Sequence, residues 1–216
     1  EEVRAAAFEA LPAADSKRAA SALSTVLAQQ AVAAELLVAY LEALGDEPTE
    51  GATAIALGLL SHESADVRDE AAWVLSVNAA EYPEPQRVLA ALLVEPDASV
   101  RARLFSALGT KASGDAVQVL ELAQREEAIS VRVAGYQALA QMASANPSGQ
   151  AGRLFDASVV PELSANALNA PEYSIRYGAF LALRMARTAG AATAIGRLAT
   201  EASDQRIADA ATAATQ

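Results

Sequence analysis

The segment ASVRARLFSAL, residues 98–108, decides how the chain is read. With Val100 as position zero, Leu104, Phe105 and Leu108 follow at four, five and eight. That spacing lines one face of an α-helix, and Arg101 stands beside the first residue of the stripe. The same arrangement, a β-branched residue, an arginine and a leucine seven residues after the arginine, recurs in EEVRAAAFEAL (1–11), ADVRDEAAWVL (65–75), ISVRVAGYQAL (129–139) and YSIRYGAFLAL (173–183). Three of these copies give the stripes Val67, Ala71, Ala72, Leu75; Val131, Gly135, Tyr136, Leu139; and Ile175, Ala179, Phe180, Leu183. A lone helix cannot bury such a stripe, whereas stacked units share one continuous core.

The arginine column Arg4, Arg68, Arg101, Arg132 and Arg176 runs at intervals of 64, 33, 31 and 44 residues. The first interval reads as two units and the last as one unit plus an insertion around Ala143–Ser158. A weaker copy, DQRIADAATAA, begins at Asp204. Between the copies lie further apolar helix patterns at about Gly51–Leu60, Pro85–Val94, Asp115–Arg125, Ala157–Leu168 and Ala191–Ala202. Breakers such as GDEPTEG, YPEPQ, EPDAS and NPSGQAG separate them. Helices are also expected at Ser16–Gln30 and Val32–Leu44, in a degenerate unit without its arginine. The expected fold is all-α: about six helical hairpins forming one array over 1–216. The second helices of the units fall near 1–11, 32–44, 65–78, 98–109, 129–145, 173–187 and 204–215, the first of them without its own first helix. The insertion reads either as a loop reaching over a binding face or as an extended helix with a plain loop.

An acidic or capping residue, Val-Arg, and an alanine-rich turn ending in Leu, in a two-helix unit of about 30 residues, resembles the HEAT repeat, in particular its short bacterial form. The resemblance is specific over Val67–Leu75, Val100–Leu108, Val131–Leu139 and Ile175–Leu183, and weak before Glu50 and after Gly190. It implies a right-handed, armadillo-like α-solenoid with a structural arginine column and with its second helices on the concave side. Some HEAT-like proteins resemble lyases or DNA glycosylases, so an enzyme is the distant alternative. Partners differ widely among HEAT arrays, so function does not follow from the fold.

Composition limits the functional classes. Hydrophobic residues make up 53% of the chain and aromatic ones 5%, which favours helix rich in alanine and leucine. The formal net charge of −11 disfavours nucleic acid and anionic lipid, and predicts a protein or peptide partner with a basic patch. There is no cysteine and one histidine, His62, so no cofactor or metal site is expected. No GxSxG, Walker-type or GxGxxG motif marks a catalytic centre, and the adjacent carboxylates Glu126–Glu127 and Asp69–Glu70 read as solvated faces. Lys17 and Lys111 are the only lysines, a bias expected of a GC-rich bacterial genome. The expectation is a soluble protein of a bacterial cytoplasm or periplasm, and a fragment of a longer chain, with the oligomeric state open.

The arginine column is expected to be structural, paired with the acids just upstream: Asp66, Asp97, Glu127 and Glu172. Positions two, six and nine of the second helices should point outward. Asp69, Trp73, Val133, Gln137, Tyr177, Leu181 and Arg184 are therefore the candidate partner-binding residues, because apolar side chains on an outward face mark interfaces. A one-position rotation of the helices would instead make the apolar members core. A binding scaffold is the leading expectation and a purely architectural spacer the alternative.

Overall fold

The computed structural model describes residues 33–46, 51–78, 84–110 and 115–215, and these contain helices and turns but no strand. Arg4 and the helices expected at 1–11 and Ser16–Gln30 lie outside the described residues. The helices are α1 (Ala34–Asp46), α2 (Ala52–Leu59), α3 (Ala65–Val77), α4 (Pro85–Val94), α5 (Ala98–Thr110) and α6 (Ala116–Arg125). They continue with α7 (Ile129–Ala145), α8 (Gln150–Leu154), α9 (Val160–Asn169), α10 (Tyr173–Ala186), α11 (Ala189–Glu201) and α12 (Gln205–Ala214). Local chemistry sets their starts. Pro85 opens α4, Asp115 accepts the Val117 N–H at 2.9 Å at the head of α6, and Asp204 caps α12 by accepting the Arg206 N–H.

The chain divides into two compact units, Glu1–Ala107 and Leu108–Gln216. In the first, α2 and α3 form a hairpin and α1 packs on α3. In the second, α6 pairs with α7, α9 with α10 and α11 with α12, while the second helices α7, α10 and α12 lie side by side. This is an all-α, repeat-like packing of helix pairs. The stripes at positions zero, four, five and eight form the core: Val67 to Leu75, Val100 to Leu108 and Val131 to Leu139 are buried at every stripe position. Ala179, Phe180 and Leu183 are buried too, while Ile175, in the first turn of α10, is half-buried.

The insertion follows the extended-helix alternative, with one boundary corrected. The insertion around Ala143–Ser158 is helical apart from a short turn after Ala145: α7 runs on to Ala145, and α8 continues through a π-helical turn, Phe155–Val159, into α9. The first helix of that unit thus begins at Gln150 rather than Ala157. Asp156, in the π-turn, accepts the Thr188 hydroxyl and the Gly190 N–H (3.0 Å), so the extra residues tie down the start of α11. A Cβ on Gly190 would lie 2.6 Å from that carboxylate, which is why the approach needs glycine. In the last unit, the weaker copy, Ile207 and Ala211 are the buried residues of α12.

Candidate docking face on the second helices

The column arginines are clamps. Arg68 uses Nη1 to hold the preceding turn, donating to the carbonyls of His62 (2.8 Å) and Glu63 (2.9 Å). Its other edge forms a two-pronged pair with Glu95, Nε–Oε2 at 2.7 Å and Nη2–Oε1 at 2.8 Å. Arg132 likewise holds the Glu126 carbonyl and reaches Glu162 at 2.6 Å, where the Tyr136 hydroxyl also donates. Arg176 holds the carbonyls of Ala170 and Pro171 and pairs with Asp204 at 2.9 Å. Arg101 donates to the carbonyls of Glu95 and Pro96.

The acids in these pairs lie 27 to 30 residues downstream, in the next hairpin, and are not the upstream residues Asp66, Glu127 and Glu172. A guanidinium cannot both fork its own preceding turn and fold back to that turn's side chains, so it reaches forward. Burial alone would raise the Glu95 pKa, but the Arg68 fork and the Asp97 N–H more than offset this and hold it below the usual carboxylate value. A carboxylate one repeat after Arg68, Arg132 and Arg176 was visible in the chain and would have pointed to these partners.

On the outward positions the residues part company. In α3, Asp69 is paired with Arg103 of α5 at 3.3 Å. Trp73 is half-buried on Gly45 of α1, where an added Cβ would lie 2.0 Å from the indole. In α7, Val133 is buried, with its Cγ1 3.3 Å from where a Cβ on Gly178 of α10 would sit, and Gln137 donates to the Gly178 carbonyl at 3.1 Å. Val133 is therefore packing rather than open surface, because the small Gly178 lets α10 approach α7 closely. In α10, Tyr177 is 36% exposed and stacks on Tyr173 with ring centroids 5.6 Å apart. Leu181, one turn on, is half-buried, and Arg184 is exposed. At the other end of this face the Arg206 guanidinium lies 3.7 Å from the Tyr173 ring centroid.

Leu181 and Arg184, with Met185, Arg187 and Ser144 at the end of α7, line an open recess of about 580 Å³. Every other described arginine donates to, or pairs with, a carboxylate or a carbonyl. Arg184 and Arg187 have neither partner among the described residues, and Arg184 only approaches the Phe180 ring at 5.9 Å. Arg187 ends α10 in the left-handed conformation, φ 56° and ψ 22°, where glycine is the usual residue. Such a conformation costs an L-residue about 1 kcal/mol.

The first unit has its own recess, about 540 Å³, between α2 and α4, lined by Leu57, Leu60, Ala90, Ala91 and Val94. Leu93 and Val94 are 61% and 80% exposed beside it. The charged side chains there, Arg68, Arg87 and Glu95, are already engaged with one another or with carbonyls and the neighbouring Glu84. His62 accepts the Ser64 N–H at 3.1 Å through Nδ1, a role in the turn before α3. Among the described residues no group of three or more His, Asp or Glu is placed to hold a metal, and no helix is long and apolar enough to cross a membrane.

No protein-family model matches the chain, and no curated protein does either. Among solved structures, it is similar to an engineered protein from the Northeast Structural Genomics Consortium at 20% identity and a TM-score of 0.51, over 100% of this chain and 95% of that one. At that identity the likeness speaks to the helical fold alone.

Proposed function

We propose that the chain is a protein-binding scaffold of HEAT-type helical hairpins that takes a protein or peptide partner on the outer face of α10, with Tyr177, Leu181 and Arg184 as anchors. The observation that carries this reading is Tyr177, an aromatic ring held open to solvent and ordered in advance by its stack on Tyr173. A rigid aromatic with an arginine beside it supplies contact area at little cost in conformational freedom, and these residue types dominate interface energetics. The HEAT-type reading is supported by the recurring Val-Arg and Leu register and by arginines that clamp one hairpin to the next. In such an array the second helices form the concave side. The −11 charge argues against nucleic acid as the partner.

The test is affinity capture from the source cell with the parent and with a Tyr177→Ala, Leu181→Ala variant of matching circular dichroism. A partner retained by the parent and lost by the variant is the expected outcome. Equal capture by both proteins, or none by either, removes the docking face and leaves an architectural spacer.

A further inference from the structure

Building on the docking face, we infer that the recess at the C-terminal end of α10 receives an acidic segment of the partner, carboxylates on Arg184 and Arg187 flanking an apolar side chain seated on Leu181 and Met185. Three observations converge on this. The recess is lined by two guanidiniums and no carboxylate, in a chain whose formal charge is −11. Those two arginines are the described ones that engage neither a carboxylate nor a carbonyl, while all the others are neutralised or anchored. Finally, one of them occupies a left-handed helix end that glycine would fill without strain, so a cation stands where backbone energetics favour a residue with no side chain.

Guanidinium groups recognise carboxylates through paired N–H donors, and the apolar floor between them selects a segment that also carries a leucine-like residue. The occupant is thus the opposite of what net charge predicts: the whole chain is acidic, but this recess is basic. A nucleic acid would present phosphates to the same arginines. Its polyanionic length would also have to lie along a strongly acidic protein, whereas a short acidic peptide meets the local field alone.

The test uses the full chain and three probes: a blocked peptide Asp-Glu-Leu-Glu-Asp, its counterpart Lys-Lys-Leu-Lys-Lys, and a short single-stranded oligothymidylate. Binding is followed by the Arg Nε–Hε and backbone amide NMR signals of Ser144, Leu181, Arg184 and Arg187. The acidic peptide is expected to shift these signals, to weaken as salt rises, and to lose about tenfold in affinity in the Arg184→Gln, Arg187→Gly variant. An Arg125→Gln variant, which removes an exposed charge elsewhere, should bind as the parent does. No shift with the acidic peptide, an equal shift with the lysine peptide, or stronger binding of the oligonucleotide would each overturn the inference. With the Tyr177 amide followed as well, no response to the acidic peptide together with a lysine peptide that shifts Tyr177 but neither arginine would overturn it while leaving the docking face in place.

Discussion

Helices α3 and α10 carry the same repeat in the same register, yet their outward side chains lead different lives. In α3, Asp69 is tied to Arg103 and the Trp73 indole packs against Gly45, so both work within the first unit. In α10, the Tyr177 ring meets the Tyr173 and Phe180 rings of its own helix, and Arg184 is exposed beside an open recess. Register decides which side chains leave the core. What stands on the neighbouring helix decides whether they stay outside: the glycine on α1 seats an indole against it, whereas α12, QRIADAATAA, the second helix beside α10, is made largely of short side chains.

The comparison can be broken first at the core, where the two helices should behave alike. Leu75→Ala and Leu183→Ala remove equivalent fully buried side chains, and each should destabilise its unit by about 2–5 kcal/mol in urea unfolding. Markedly unequal losses would mean that the shared register does not describe a shared core.

The clamp comes next. The Arg68 and Glu95 side chains are 12% and 3% exposed, so Arg68→Met strands a buried carboxylate and should cost about 3 kcal/mol at neutral pH. The sign with pH follows from the native pKa of Glu95, which lies below its unfolded value. In the parent, the pair's contribution is full above the ordinary carboxylate range and is lost as pH falls through the lowered native value. In Arg68→Met the native pKa rises instead, so the penalty should begin to shrink as pH falls through that raised value, above the ordinary carboxylate range, and keep shrinking down to the lowered native value of the parent. A penalty independent of pH would show that the arginine acts through packing alone.

At the helix end the expected change has the opposite sign. Arg187→Gly should stabilise the protein by about 0.5–1 kcal/mol, because it relieves the left-handed residue, while weakening any acidic ligand of the recess. The smallest effect belongs to Arg184→Gln, which should leave the unfolding free energy within about 0.5 kcal/mol of the parent at any pH. A larger loss would reveal a structural partner for that guanidinium.

Much of this fold was legible in the chain because helical period and repeat period reinforce each other: Val100, Leu104, Phe105 and Leu108 are buried as their spacing requires. The site was only partly legible. Nothing around Val133 announces that Gly178 of α10 will bring the two helices together, since that contact joins residues 45 positions apart. The arginine partners were misread for a related reason: proximity in the chain favours Asp66 for Arg68, but the guanidinium's fork geometry and its hold on the preceding turn direct it to Glu95. The π-turn of the insertion follows no apolar period, and the role of Asp156 there depends on Thr188 and Gly190, more than 30 residues later.

The most direct measurement is a side-by-side urea unfolding of Trp73→Ala and Tyr177→Ala, the two aromatic residues that stand outward on α3 and α10. The account predicts a loss of about 2–4 kcal/mol for Trp73→Ala, which empties the space over Gly45, and under about 1 kcal/mol for Tyr177→Ala, whose ring is free for a partner. Equal losses, or a larger one for Tyr177→Ala, would mean that the α10 face serves the fold itself and would contradict its assignment as the docking surface.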